Sequence, residues 1–412
     1  MFAKISIFLF SSLPVSLIIG NLALNLNILL LDLVLLIYCY KYNHWGWLND
    51  KIFKLLIFFN LYLLSNSIYS YYIHPDLGYA GIIRSLGFLR FILLIYAFSL
   101  LIINQKILDK IMKIWCLILA IVILDVFFEI IFGHNILGYV SADETRVISF
   151  FYDEAVVGAF LFCFGFVISA YFLEKNLNFN SKIFFNIFLF LVPLSIFVTG
   201  ERSNFIKSFI VFSIILFLIN QGKLLIGKKK FFLILILSFF IAIFSNNLIF
   251  IKQTEFFKRI LIVKDDVKFI DKFQNIKYFA HYDVALKIFK KYPILGTGSK
   301  NFRNECMKEE YFDEKIKFTN SRCNTHPHQI HFEMLSEQGM LGYVFLLYIM
   351  LIFFKDNLKK ANLSKNIFHY TSLLYLIIFY IPLLPGGSIF SSFSGSNFWI
   401  IFSIANLINK KN

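Results

Sequence analysis

Apolar runs of about 17 to 25 residues, the length of a membrane-spanning helix, recur along almost the whole chain. At a rise of about 1.5 Å per residue, a helix of this length crosses a hydrocarbon core of about 30 Å. The alternating ten-residue segments that are typical of membrane barrel strands are absent. A mean hydropathy of +0.72 over 412 residues excludes a soluble domain. We therefore predict an all-α polytopic membrane protein.

We predict three parts along the chain: spans one to nine in residues 1–250, one large external loop in 251–330, and three further spans in 331–412. The first apolar run follows only Lys4 and lacks a small-residue cleavage site, so we expect it to be retained. The twelve predicted spans are 5–19, 24–40, 52–72, 82–103, 111–132, 153–173, 183–199, 203–220, 230–250, 331–354, 366–383 and 389–408.

The basic residues orient these spans. Lysines fill alternate short loops and both termini, whereas the intervening short loops contain only Arg146 and Arg202. The positive-inside rule then places both termini in the cytoplasm and the 251–330 loop outside. The net charge is +15. Because the lysines lie at membrane edges and no aromatic-basic nucleic-acid motif is present, we expect membrane lipids as partners and no nucleic acid.

The seven arginines all lie on the predicted external side, whereas the 33 lysines are found on both sides. A planar guanidinium matches a phosphate or diphosphate better than an ammonium group does. This bias favours an external anion site that contains Arg84, Arg90, Arg146 and Arg202. Two structural alternatives stay open. Arg84 and Arg90 could extend their side chains to the outer membrane interface without binding an anion, and Arg202 could form a structural salt bridge with Glu201.

The stretch "RVISFFYDEAVVGAF" begins at Arg146 and carries two acids at the start of the sixth predicted span. Asp153 and Glu154 either cap that helix or pair with an arginine. Two cysteines in the external loop, Cys306 and Cys323, are far enough outside the membrane to form a disulfide in an oxidising compartment. Pairing and free thiols remain equally open.

An amphipathic helix followed by a Pro and Gly turn is predicted in residues 275–302. Val284, Ile288 and Tyr292 lie on one apolar stripe flanked by lysines. Such a helix is typical of the membrane surface, so we expect it to lie on the outer leaflet. The following "LGTGSKNF" lacks the glycine spacing and the preceding strand of a nucleotide-binding loop.

The stretch "NTHPHQIHFEMLSEQGMLG", residues 324–342, places three histidines within six residues. We predict that Pro327 begins a helix, that His328 lies in its first turn, and that His328 shares a face with Gly339 and Gly342. The glycines would let this face approach another helix closely. A neutral histidine at a helix N-terminus can accept a proton.

Three interpretations of these histidines remain open. His326, His328 and His331 could form a zinc site, although no established spacing such as HExxH is present. They could be interfacial residues without a role. His328 alone could be catalytic or could orient a substrate, and this interpretation is favoured.

The same stretch resembles the O-antigen ligase and O-antigen polymerase superfamily of bacterial envelope glycosyltransferases. Its signature is His, then Asn, Ser or Gln, nine residues, Gly, two residues, then Gly, Thr or Tyr. His328, Gln329, Gly339 and Gly342 match each fixed place. "KKYPILGTGSKNF" is similar to the segment upstream of that signature, and "TGERSNF" is similar to the arginine-bearing turn of the family.

The resemblance implies an inverting, metal-independent glycosyltransferase of GT-C type that needs no cofactor. It would work on the periplasmic face of the bacterial inner membrane. Its donor would be an undecaprenyl-diphosphate-linked glycan, and its acceptor a saccharide on a lipid-linked glycan or on lipid A-core. A chain-length regulator is a candidate partner.

The resemblance also assigns roles to residues. His328 would be the base or orienter for the acceptor hydroxyl, and Arg202 and Arg146, with Arg90 as a further candidate, would hold the donor diphosphate. We expect Glu337 to be a partner for a buried arginine and not a catalytic acid. The supporting residues that we predict are Gln329, Glu337, Gly339, Gly342 and Glu154.

Four functions remain open, and we favour the first. They are an O-antigen polymerase, an O-antigen ligase, a protein O-oligosaccharyltransferase, and a flippase for lipid-linked sugars. A flippase would need inverted repeats, which we do not find, and charges in both halves of the spans. The internal halves are nearly free of charge apart from Asp32 and Asp125.

Overall fold

The structure is a computed structural model that describes residues 2–75, 79–152, 156–175, 179–220, 277–316 and 318–411. Within these ranges it is helical and contains no strand, which confirms the all-α prediction. The helices, numbered in chain order, are α1 Phe2–Ile19, α2 Asn21–Tyr42, α3 Lys51–Ile73, α4 Ala80–Leu101, α5 Gln105–Phe132, α6 Val157–Glu174, α7 Phe179–Val198, α8 Arg202–Asn220, α9 Lys277–Lys291, α10 Phe302–Glu305, α11 Ile330–Ser364, α12 Ile367–Ile378 and α13 Ser392–Lys411.

Seven of these helices, α1 to α6 and α11, are long and apolar enough to cross a membrane. Shorter apolar helices cover Ile183–Val198, Ile367–Ile378 and Ser392–Ile408. The protein is therefore a multi-pass membrane protein. Each predicted span within the described residues overlaps a helix, and the ninth predicted span, 230–250, lies outside them. The predicted span 366–383 is too long, because α12 has only 12 residues.

The centre of the bundle is formed by α6 and α13. In the apolar 18-residue stretch of each helix, 83% of the residues are buried in α6, against 39% in α2 and in α5. Helix α6 is therefore enclosed by protein, whereas α2 and α5 present a broad face to lipid. On α13, Trp399 is fully buried, and its indole N–H donates to the carbonyl of Ile389 (2.9 Å). Trp399 thus fills the core, and its one polar atom finds a partner there.

The long helix α11 is broken at Gly339, whose φ of 61° and ψ of −169° are not helical. The break frees carbonyls and N–H groups that have no water to bind inside a membrane, so other groups must satisfy them. The carbonyls of the three preceding residues accept from Thr297 N (3.0 Å), Gly298 N (2.8 Å) and the Tyr62 hydroxyl (2.6 Å). The N–H groups of the two following residues donate to the carbonyls of Pro293 (2.8 Å) and Ile294 (3.2 Å).

Only glycine fits this break. A Cβ on Gly339 would lie 2.2 Å from the Ile294 carbonyl oxygen, and a Cβ on Gly296 would lie 2.6 Å from the nitrogen of Gly339. Both residues also have positive φ, which other residues rarely adopt. The predicted continuous face from His328 through Gly339 to Gly342 is therefore wrong, because the helix starts after His328 and stops being regular at Gly339.

Helix α9, which belongs to the predicted external loop, packs inside the protein. Val284 and Ile288 are 1% and 0% exposed and form a small core with Phe302, Cys306 and Tyr311. The expectation that this stripe lies on the outer leaflet is wrong, because the loop supplies its own apolar partners. Cys306 is bonded to Cys323, with a Cα to Cα distance of 5.5 Å, and this disulfide closes that core.

Candidate functional site

The turn between α7 and α8 brings two of the predicted arginines together. Gly200 has a φ of 79°, and a Cβ there would lie 2.2 Å from the carbonyl oxygen of Thr145. The backbone just before Arg146 therefore lies against the residue two before Arg202. Two arginine-bearing segments separated by more than fifty residues in sequence thus meet at one place, which we call the arginine turn (residues 145–147 and 199–203).

Glu201 fixes the arginine turn to the neighbouring helices. Its carboxylate accepts from Gly158 N at the start of α6 (2.5 Å) and from the Asn204 side chain (2.6 Å), and it interacts electrostatically with Arg146. Burial raises the pKa of the Glu201 carboxyl. This acid is thus engaged with α6, α8 and Arg146 at once. The other predicted acid of this region, Glu154, lies outside the described residues.

His328 lies in a turn that precedes α11 and not in its first helical turn. The N-cap is Gln329, whose side-chain oxygen accepts from His331 N (2.7 Å) and Phe332 N (3.3 Å). The predicted helix start at Pro327 is wrong. The helix starts at Ile330, because the Gln329 side chain binds the free N–H groups two and three residues after it. His328 has a φ of 58°, a left-handed conformation that costs about 1–3 kcal/mol in a residue other than glycine.

The structure separates His331 from the other two histidines. Its Nε2–H donates to the carbonyl of Tyr380 (2.9 Å), so its Nδ1 accepts from the Tyr343 hydroxyl (3.0 Å). Both ring nitrogens are therefore used: Nε2 holds α11 against the segment after α12, and Nδ1 is bonded within α11. A zinc site that includes His331 would have to break both bonds.

The rings of His326 and His328 lie side by side, with centroids 4.3 Å apart. His281 and Tyr278, both on α9, approach His328 to 5.5 and 5.4 Å. Neither ring nitrogen of His328 has a hydrogen-bond partner in the described part of the chain. Across that part, no group of three or more His, Cys, Asp or Glu side chains is arranged to hold a metal ion.

Burial keeps these two imidazoles neutral. Burial, with a smaller effect from the neighbouring His326 and His281, lowers the pKa of His328 to about 3. Burial and the charge of Arg84 lower the pKa of His326 to about 4. At neutral pH the ring of His328 can therefore accept a hydrogen bond from a hydroxyl group.

Arg84 forms a closed ionic cluster with two acids of α11. Its guanidinium donates to Glu333 (2.6 Å), to Glu337 (2.8 Å) and to the Ser388 hydroxyl (2.5 Å). Glu337 also accepts from the backbone of Lys300 (2.7 Å) and of Phe302 (3.3 Å). Glu337 thus meets a buried arginine. The diphosphate role of Arg84 stays a prediction, and an incoming phosphate would have to replace a carboxylate.

Arg90 lies about 9 Å further along α4 than Arg84, at 1.5 Å per residue. It is half-buried, donates to the carbonyl of Gly87 (2.7 Å) and interacts electrostatically with Asp32 of α2, which is 3% exposed. The contacts that the structure gives Arg90 are thus with its own helix and with α2. Its role in binding a donor stays a prediction.

The sequence interpretation missed the segment after α12, residues 380–388. This segment connects the arginine turn to the turn that contains His328. Its residues 385–388, here called the 385–388 turn, donate from Gly386 N to the His328 carbonyl (2.6 Å) and accept at the Pro385 carbonyl from Ser203 (2.5 Å). The dipeptides Pro-Gly and Gly-Gly in "LPGGS" were the available signal for a tight turn. This turn makes the arginine turn and His328 parts of one site.

Comparison with known protein families matches a region that contains part of this site. Residues 187–347 match the family model described as O-antigen ligase, a range that includes Arg202, His328, Gly339 and Gly342. No curated protein matches the chain significantly. The family match confirms the resemblance noted from the sequence motifs.

Proposed function

We propose that this protein, whose residues 187–347 carry the O-antigen ligase domain, polymerises O-antigen or surface polysaccharide repeat units. It would transfer an undecaprenyl-diphosphate-linked oligosaccharide to a saccharide acceptor on the periplasmic face of the bacterial inner membrane. The observation that carries the proposal is that the 385–388 turn contacts both the arginine turn, through Ser203, and the backbone carbonyl of His328.

The arginine turn supplies the donor side of the reaction. When the bond between the sugar C1 and the diphosphate oxygen breaks, negative charge develops on the diphosphate. Arg146 and Arg202 are planar cations that can each bind two phosphate oxygens and stabilise this leaving group. Their segments are already in contact before a substrate binds, which reduces the reorganisation that the reaction needs.

His328 supplies the acceptor side. Its neutral ring accepts a hydrogen bond from the acceptor hydroxyl and takes the proton as the oxygen attacks C1. A pKa of about 3 makes the ring a weak base in the free protein, and the negative diphosphate brought next to it raises its basicity. Attack on the face opposite to the leaving group gives the inverted product.

A ligase is the second candidate, because the matched family is described as O-antigen ligase. The donor side and His328 would work in the same way, and only the acceptor would change, from a second lipid-linked glycan to lipid A-core. The proposed chemistry does not depend on this choice.

The test is glycan profiling of a deletion strain that is complemented with the wild-type gene, with His328→Ala or with His44→Ala. His44 lies in the exposed turn between α2 and α3 and is the matched control. We expect wild type and His44→Ala to restore the profile and His328→Ala to fail. Loss of long chains with a single repeat left on the core supports a polymerase, loss of all capping supports a ligase, and full rescue by His328→Ala overturns the proposal.

A further inference from the structure

One buried cation is not used by the chemistry described above. Lys207 on α8 is 3% exposed, and its ammonium donates to the carbonyl of Pro385 (2.5 Å) and lies 5.6 Å from the centre of the Phe379 ring. Taking an ammonium group out of water is costly unless the protein compensates for it. The Pro385 carbonyl, the Phe379 ring and the electrostatic attraction of Glu201 provide this compensation, and each of them fixes the ammonium in place.

Lys207 shares its acceptor with a residue next to Arg202. The Ser203 hydroxyl donates to the same Pro385 carbonyl (2.5 Å). Residues four apart lie on one face of a helix, so Ser203 and Lys207 point together at one oxygen atom. Two donors from the first turns of α8 thus fasten the 385–388 turn to the helix that begins with Arg202.

The same peptide unit of the 385–388 turn also holds the backbone of His328. Gly386 N donates to the His328 carbonyl (2.6 Å), and a Cβ on Gly386 would lie 3.2 Å from the Lys207 ammonium nitrogen. A left-handed non-glycine residue such as His328 persists only where surrounding contacts enforce it. The hydrogen bond from Gly386 N is one of these contacts. This N–H shares a peptide bond with the Pro385 carbonyl that Lys207 holds.

We propose that Lys207 is a positioning residue for His328. By fixing the Pro385 carbonyl it places Gly386 N, which fixes the His328 backbone and so sets the distance between the imidazole and Arg202. This inference rests on the proposed function, because it assumes that both residues act on one substrate pair. The chemical contacts that carry it are independent of which glycan is transferred.

The test uses the full-length protein purified in detergent with four variants: Lys207→Met, Lys207→Arg, Ser203→Ala and Lys54→Met. Methionine keeps the length and removes the donor, arginine keeps a donor, and Ser203→Ala removes the second donor to Pro385 should Lys207→Met fail to fold. Lys54 is an exposed lysine of α3 and serves as the control. The two readouts are kcat and KM for glycan transfer, and the rate at which diethylpyrocarbonate modifies His328, resolved by peptide mass spectrometry.

For Lys207→Met we expect kcat to fall about tenfold with KM changed less than about twofold, as small displacements of a catalytic group do. The modification rate of His328 should change at least about threefold, and Lys207→Arg should recover most of both values. A folded Lys207→Met, or Ser203→Ala in its place, with unchanged kcat and unchanged His328 modification overturns the inference. If the wild type has no transferase activity while Lys207→Met still alters His328 modification, the proposed function fails and the positioning of His328 by Lys207 stands.

Discussion

Two polar groups near the start of α11 are built in opposite ways: the ionic cluster of Arg84 from α4 with two acids of α11, and His328 on the turn before α11. The Arg84 cluster is closed in charge: its guanidinium meets Glu333, Glu337 and Ser388, and Glu337 takes two backbone N–H groups in addition. Within the described residues, Oε2 of Glu333 is left without a hydrogen-bond partner. The ring of His328 is open, with a left-handed backbone and, in the described ranges, no partner for either ring nitrogen. The closed group ties α4 to α11, whereas the open group leaves hydrogen-bonding capacity for a substrate.

The difference teaches how to separate scaffold from site among charged residues in a membrane protein. Each buried charge in lipid is costly, so a cluster whose charges pair with one another is explained by stability. A strained backbone that carries a ring without partners needs another explanation, and function is the common one. We therefore expect substitutions in the Arg84 cluster to change stability and substitutions around His328 to change rate.

The largest effect is expected at His328. His328→Ala should reduce the rate of glycan transfer by about 100-fold to 10,000-fold, the usual contribution of an acid–base residue. Its thermal unfolding midpoint should stay close to that of the wild type, because the ring has no hydrogen bonds to lose within the described residues. Transfer by purified protein and a thermal melt measure the two quantities, and a large loss of stability at wild-type rate would reverse the comparison.

The next effect is the reverse case, at Arg84. Arg84→Met leaves two buried carboxylates without their cation, which should destabilise the fold by about 3–5 kcal/mol. The melting temperature and the yield of folded protein should fall, while the rate per folded molecule changes much less. Arg84→Met combined with Glu333→Gln and Glu337→Gln should recover part of the stability. A wild-type melt for Arg84→Met alone would show that the cluster is not a scaffold.

A smaller effect is expected at Arg202. Arg202→Lys keeps the charge and loses the fork, so the apparent affinity for a diphosphate-linked donor should weaken about tenfold, or about 1.4 kcal/mol. Donor titrations measure this change. Arg322→Lys is the matched control, because Arg322 binds carbonyls of the external loop, including that of Cys306 (3.0 Å). Equal affinities for wild type and Arg202→Lys would exclude a paired diphosphate contact.

The smallest effect is an expected constancy with pH. Because the pKa of His328 is lowered to about 3, its ring should stay neutral, and its diethylpyrocarbonate modification rate should be flat, from pH 7.5 to about pH 5. A free imidazole, with a pKa of about 6.5, loses reactivity over this range and is the reference. The unfolded chain binds more protons than the folded one between about pH 6.5 and pH 3, so stability should fall as the pH drops through that window. A midpoint near pH 6.5 for His328 would contradict the enclosed environment.

The sequence predicted the spans that lie within the described residues and the resemblance to the O-antigen ligase family model, since long apolar runs and fixed spacings are local signals. It did not predict how α9 is covered. The stripe of Val284 and Ile288 would suit a lipid surface or a protein groove equally well, and its partners, Phe302, Cys306 and Tyr311, lie in a segment without a periodic pattern. Periodicity reports that a face is buried and does not report what buries it.

The start of α11 and the 385–388 turn were missed for a different reason. Pro327 is a good first helical residue, and glutamine is not a favoured N-cap, so local preference placed the helix start three residues too early. The cap at Gln329 is fixed by contacts with the distant segment after α12, such as that from its side chain to the Ile381 carbonyl (3.4 Å). Tertiary contacts of this kind leave no spacing in the sequence.

The break at Gly339 divides α11 into two pieces with different attachments. The short piece before Gly339 is bonded through Thr297 and Gly298 to the external segment that also carries the disulfide, while the long piece after it crosses the membrane. Residues 293–340 thus form a cassette whose two ends meet, since Met340 N donates to the Pro293 carbonyl (2.8 Å), and the cassette carries His328. Grafting this cassette between relatives would be a direct route to exchange acceptor preference while the arginine turn of the recipient is kept.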